Sequence, residues 1–453
     1  MVDRFGQVSG DFSLERHGAR GAFGTVAPSS RFFGGVNTSG AFDPLSLNPI
    51  LAFEASRSMM APLASESLDL DPATPSTLDI ITATRAGTAT FTDASGNIQT
   101  ASPNTVRVDH VGGVPMILVE PAATNLIVNS EDFSGVDWSY SSNAIEVSES
   151  NSTLSPTGLQ TADKLSKTTT RVYAYAHTNQ TITSGQAYTW SVFMKKGTHD
   201  IGYLSLNQGD TEYKAFYDLT GGTSGMITGS ATSSIEDFGN DWFRCSLRGV
   251  SSTSDVSVRF NFGMSYTTSG ENWPSGSQGA GLYVYIWGAQ LEQGTVATSF
   301  IPTSGSAVTR AADDLVIDGS DFTNFYNQSE GTIYIEWQRE ATNTVYPFTI
   351  SDGGSGNYIR INNASTCRIK TGSSEQASLS LGSSNTGQIN RAAVSFAANN
   401  FDGSKNGGAV VSDSAGTPPT VNQLQIGGLY STGSEINGHI KRLIYWPHHS
   451  DNL

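Results

Sequence analysis

The chain has 453 residues, a net charge of −16 and only 15% charged residues. It shows no Lys/Arg cluster for phosphate contact and no apolar run near the ~20 residues of a membrane span. Met1-Val2-Asp3-Arg4 leads into no apolar signal segment, so nucleic-acid binding, membrane insertion and leader-directed export are not expected. The length calls for several cores, and 48 glycines among recurrent Ser and Thr point to a turn-rich, all-β chain. Hydrophobic residues make up 37%, against ~45–50% in a typical domain counted with Gly, so burial between copies is expected as well.

Residues 1–75 lack helical or strand periodicity and carry Gly, Arg and Phe interspersed, as in RHGARGAFGTVAPSSRFFGG, which predicts a segment that orders against a partner. Within it, Phe42–Met59 is a candidate docking element. Residues 76–122 predict a small β connector: Thr90-Phe91-Thr92 and Ile98-Gln99-Thr100 flank the turn residues Asp93–Asn97 in a hairpin, and Met116–Val119 is a buried strand stopped by Pro121.

Residues 123–303 alternate as a sandwich does. Trp190, Val192 and Met194 share one face, with Ser191, Phe193 and Lys195 on the other. Phe243, Cys245 and Leu247 point inward, with Trp242, Arg244 and Arg248 outward. Val258, Phe260 and Phe262 point inward, with Arg259 and Asn261 outward. Gly281–Leu315 closes this domain and is apolar on both faces: Tyr283, Tyr285, Trp287, Ala289 and Leu291 on one, Leu282, Val284 and Ile286 on the other. A neighbouring domain or a second subunit is expected to cover the outer one. Residues 304–453 repeat the pattern in GTIYIEWQ, NYIRINN, RAAVSFAANNF and GHIKRLIYWP, giving a second sandwich. Cys245 and Cys367 fall in different domains and predict buried free thiols.

Three segments together resemble adhesion proteins of tailed bacteriophages and of phage-derived particles such as gene transfer agents. TATRAGTATFTDASGNIQTASPNTVRVDH with ILVEPAATNLIVNSEDFSGVDWS is similar to the connector ahead of a carbohydrate-binding-module-like jelly roll. VYIWGAQLEQGTVATSFIPTSGSAVTRAADD resembles its closing strand and exit linker, and INRAAVSFAANNFDGSKNGG with INGHIKRLIYWP a laminin-G/concanavalin-like sandwich. The resemblance covers roughly residues 77–453. It implies a virion fibre or spike, on the tail or the head, that is a homo-oligomer, usually a trimer, and binds host surface glycan. Attachment to other virion proteins would fall to the N-terminal segment, with assembly in the host cytoplasm and release by lysis.

No GxSxG, HExxH, P-loop or CxxC motif is present, and no catalytic residues are assigned. Asp313-Asp314 and Glu131-Asp132 are sequence neighbours rather than two carboxyls facing across a cleft, as glycoside hydrolysis requires. His448-His449 reads as a solvated pair rather than a metal site. No cofactor is required. The resembled jelly rolls often carry a structural calcium, for which Asn129, Glu131, Asp132 and Glu292 supply oxygen ligands, with turn hydrogen bonds as the plainer reading. For sugar, which needs an aromatic face flanked by planar polar groups, the outward positions offer Trp242 with Arg244, then Phe193, Lys195, Arg259 and Asn261. Two other readings stay open, a capsular polysaccharide depolymerase and a purely structural capsid decoration.

Overall fold

The computed structural model describes residues 67–453 except 136, 142–143, 169–174, 209–210, 251–256, 267, 269–279, 341–345, 363–365, 430–432 and 452. The N-terminal segment, with its candidate docking element Phe42–Met59, lies outside the described residues up to position 66. Their regular elements are almost all strands, arranged as two antiparallel β-sandwiches. No described helix is long and apolar enough to cross a membrane.

The jelly-roll-like sandwich has two six-stranded sheets. The first runs Thr232–Asp237, Trp242–Val250, Ala187–Lys196, Tyr283–Gln293, Gln160–Lys167, Ile145–Leu154. The second runs Thr223–Thr228, Thr211–Asp218, Ile201–Gln208, Ser257–Met264, Tyr175–Thr181, Ser139–Tyr140. The inward residues expected from alternation, among them Trp190, Val192, Met194, Cys245, Leu247, Phe260 and Phe262, fill the space between the sheets. Both cysteines are buried and free.

The second sandwich differs from the expected chain order. Its larger sheet takes Gly331–Arg339, Asn390–Ala397 and Gly438–Trp446, and then adds Val114–Val119 and Arg107–Val111 beside the last of these. Leu68–Leu70 pairs with the same strand at Leu443–Tyr445. The facing sheet likewise takes Thr82–Thr84 against Asp314–Val316. The segment expected as a separate connector thus supplies strands to both sheets, and Leu68, Leu70, Ile117 and Val119 join one core with Ile333, Ile335, Ile440 and Leu443. The jelly roll is an insertion in this sandwich. Its two ends lie side by side, since Ala123–Asn125 pairs with Val308–Arg310. The predicted hairpin is present, with Thr90 opposite Thr100 and Asp93 Oδ1 accepting from the Ser95 and Asn97 amides at 2.8 and 2.9 Å.

A buried charge network clamps this neck. Arg107 donates to Glu120 Oε2 at 2.8 Å and to Asp313, while Arg85 Nη1 donates to Asp313 Oδ1 at 2.9 Å. Arg310 lies 3.5 Å from Glu120, which also accepts from Ser299 N and Oγ at 2.6 and 2.7 Å. Burial alone would raise the Glu120 carboxyl, but Arg310 and Arg107 outweigh it and hold it well below the usual range. Asp313, bonded by Arg85, Arg107 and the Glu120 amide, is part of this structural clamp.

Candidate functional site

The closing strand Tyr283–Gln293 settles where the outward residues of the first sheet go. Ser191 pairs with Gln290 but Phe193 with Trp287, so Gly288 and Ala289 together oppose Val192 in a β-bulge. Gly288 adopts φ +61°, and the extra residue reverses the alternation beyond it. Ala289 and Leu291 face the sandwich core with Val284 and Ile286, not the side of Trp287 as strict alternation gives. The second face is covered at Trp287, and by the chain itself, while Tyr283 and Tyr285 stay half-exposed: Trp287 packs on Phe300 (4.5 Å between ring centres) and Phe193 (5.4 Å), in a cluster with Ile98 of the hairpin and Trp242.

This burial removes the leading sugar-binding pair. Trp242 is 2% exposed and donates its indole N–H to the Leu154 carbonyl at 3.0 Å, so it offers no ring face to a ligand. Arg244 is buried, donating to Thr298 O at 2.6 Å and Ser191 Oγ at 3.2 Å, and Phe193 is fully buried. Lys195 stands apart at the sheet end, donating to Asn240 O at 2.7 Å. A cleft of 990 Å³ separates this sheet from the second sandwich, with Glu236, Arg244 and Arg248 on one side and Asp109, Glu340 and His439 on the other. Glu236 is exposed at the cleft, while Arg244 beside it is buried. His439 Nε2 lies 2.9 Å from Asp109 Oδ2.

The four calcium candidates do not converge on one point. Asp132 Oδ1 accepts from Ser134 N (3.0 Å) and Oγ (2.7 Å), Glu292 accepts from Thr298 N (2.9 Å) and Oγ1 (2.5 Å), and Asn129 bonds Asp137 and the Gly305 amide. Burial raises the Glu131 carboxyl. These are turn and loop hydrogen bonds. Among the described residues the acids and histidines that do come together are Asp402, His449 and Asp451. The His449 side chain is only 8% exposed, with its two nitrogens each 3.2 Å from a carboxylate, so the solvated-pair reading is corrected: the imidazole is held between Asp402 and Asp451.

Arg259 and Asn261 are the two predicted residues that the structure places side by side outside the sandwich core, Arg259 half-buried and Asn261 buried. They stand on the outer face of the second sheet, opposite Val258, Phe260 and Phe262. Strand register builds three rows there. Asn179, Arg259, Asn207 and Glu212 form one, and His177, Asn261, Ser205 and Lys214 the next. The third is aromatic, Tyr175, Gly263, Tyr203 and Phe216, with Tyr175 and Tyr203 edge to face at 6.5 Å across the glycine; Tyr203 is buried, so Tyr175 and Phe216, both half-buried, are the rings with a face to offer.

The polar rows are wired together. Asn261 Nδ2 donates to Ser205 Oγ at 2.7 Å and Asn207 Oδ1 at 2.5 Å, and Asn207 Nδ2 to Glu212 Oε1 at 3.3 Å. Lys214 Nζ lies 3.7 Å from that carboxylate. The Arg259 guanidinium sits 5.8 Å from the Tyr175 ring centre. Three buried atoms have no partner: Arg259 Nε, His177 Nδ1 and Asn261 Oδ1, the last on a residue 2% exposed. Each such orphan costs about 1–3 kcal/mol, and three stand on this one sheet face. Burial and the Arg259 charge lower the His177 pKa, favouring the neutral ring.

No known family matches the chain, and no curated protein does. Domains LG4-5 of the mouse laminin alpha1 chain are similar at 11% identity over 60% of this chain and 91% of that one, with a TM-score of 0.22. The tandem CBM22 domains of a Paenibacillus barcinonensis protein give 8% identity, 71% and 96% coverage, and 0.22. A Trypanosoma rangeli sialidase gives 8%, 64% and 59%, and 0.24. Likenesses this weak carry no argument about function. The architecture rests on the strand pairing, and the site on its own geometry.

Tyr175, His177, Tyr203, Ser205, Asn207 and Lys214 were missed in the sequence. The signal was there: alternation in IGYLSLNQ sets Tyr203, Ser205 and Asn207 opposite Leu204 and Leu206.

Proposed function

We propose that this protein is a structural virion fibre or spike, on tail or head, that adheres to host surface polysaccharide through the outer face of the jelly roll's second sheet. One observation carries this: an aromatic row runs beside two polar rows that hold both an unpartnered donor, Arg259 Nε, and an unpartnered acceptor, Asn261 Oδ1. A sugar presents C–H faces to rings and hydroxyls that both donate and accept, so it suits such a face. Individually weak contacts would multiply in a homo-oligomer, a trimer first, attached to other virion proteins by the N-terminal segment. Its place is the virion, assembled in the host cytoplasm and released by lysis, and it works by holding rather than by turnover.

A decoration role that binds only other virion proteins has its own support, since Tyr266, 42% exposed, is the one aromatic among the exposed large hydrophobics of the described residues. Binding to isolated host surface polysaccharide separates the readings. The intact protein should be retained, and Tyr175→Ala, with its melting temperature checked, should weaken retention about tenfold or more. No retention supports decoration, and release of reducing ends supports a depolymerase.

A further inference from the structure

We propose that the saccharide taken by this face is acidic, carrying a carboxylate that Arg259 receives. The inference rests on the glycan-binding reading above and goes on to name the chemical class. In a chain with 41 acidic against 25 basic residues, a guanidinium normally finds a carboxylate. Arg107, Arg310, Arg391 and Arg442 all do, while Arg244 is taken up by Thr298 O and Ser191 Oγ and Arg360 lies over the rings of Tyr346 and Tyr358. Arg259 does not: among the described residues no carboxylate lies within ion-pair distance of it, and its Nε–H is buried without an acceptor. The other cation of the face is already engaged, Lys214 with Glu212 at 3.7 Å and over the Tyr203 ring at 5.5 Å.

The neighbours named for the guanidinium leave it unneutralised. Tyr175 lies 5.8 Å from it, and the adjacent His177 is biased to its neutral form by burial and by Arg259 itself. The nearest polar neighbours across the strands, Asn179 and Asn207, carry no charge. A planar fork of donors beside a ring matches a carboxylate in two parallel hydrogen bonds. Asn261, two residues along the same strand, stands one row over with an unpartnered but buried Oδ1. The negative chain repels polyanions at long range, so a local positive point is what would give an acidic sugar its orientation.

Titration calorimetry on the intact protein tests this with a panel of uronic-acid oligosaccharides of different backbones, each paired with its carboxyl-reduced, neutral counterpart. At least one acidic member should bind about tenfold or more tightly than its reduced partner, with the difference shrinking as salt rises. Arg259→Gln should abolish that ratio, and Arg259→Lys, which keeps the charge but not the fork, should retain part of it. Equal affinity for acidic and reduced partners, or a preference that survives in Arg259→Gln, overturns the acidic assignment and leaves glycan binding standing. No binding by any pair overturns the glycan reading itself. Circular dichroism and melting of both variants show that the comparison is between folded proteins.

Discussion

Arg107 distributes its guanidinium over four acceptors from three parts of the chain: Thr90 O (2.7 Å), Ser299 Oγ (2.9 Å), Glu120 (2.8 Å) and Asp313. Removing it leaves two buried carboxylates with only Arg85 and Arg310. Breaking a buried ion network from one side costs about 3–5 kcal/mol, because the remaining charges stay out of water. Arg107→Ala is therefore expected to lower the urea midpoint by that equivalent, and a loss under about 1 kcal/mol would mean that water replaces the guanidinium. Alternation placed Arg259 and Asn261 on the correct face because their strand runs without interruption. The same reasoning placed Trp242 and Arg244 outward, also correctly, yet the conclusion drawn from it failed. Periodicity tells which way a side chain points and is silent on what covers it, here Leu154 and the hairpin residue Ile98.

At the level of the element, Gly288 is where the closing strand changes its allegiance. An L side chain resists φ +61°, and a Cβ there would stand 2.9 Å from Phe193 Cδ2 and 3.2 Å from Phe300 Cε2. Left-handed strain and overpacking together predict a loss of about 2–4 kcal/mol for Gly288→Ala, read as a drop in melting temperature without loss of the all-β circular dichroism spectrum. An unchanged melting point would show that the bulge relaxes freely. The sequence shows the glycine but not its conformation: a glycine inside a strand pattern marks a strand end, a bulge or a close approach equally well, and only the pairing with Ser191 and Phe193 separates them.

For the whole molecule, the strands of residues 68–119 matter more than their length suggests. They cover an edge of the sheet containing Gly438–Trp446 and complete the core around Ile440 and Leu443. A chain of residues 304–453 alone should lack a cooperative unfolding transition and aggregate, while residues 67–453 should melt cooperatively. A soluble, cooperatively folded 304–453 would show that the late strands suffice. This pairing was hidden because local patterns reveal strands and turns, whereas register between segments hundreds of residues apart depends on tertiary contact.

The side-by-side entry and exit of the jelly roll, fixed where Asn125 meets Val308, also bears on how such a chain can change over generations. A segment whose two ends are neighbours can be replaced by another of different length without moving the strands on either side. Recombination at those two points would trade one inserted domain for another in a single event. The supporting sandwich, and whatever it is fastened to, would be inherited intact. Related chains in other lineages should therefore differ most between these two junctions.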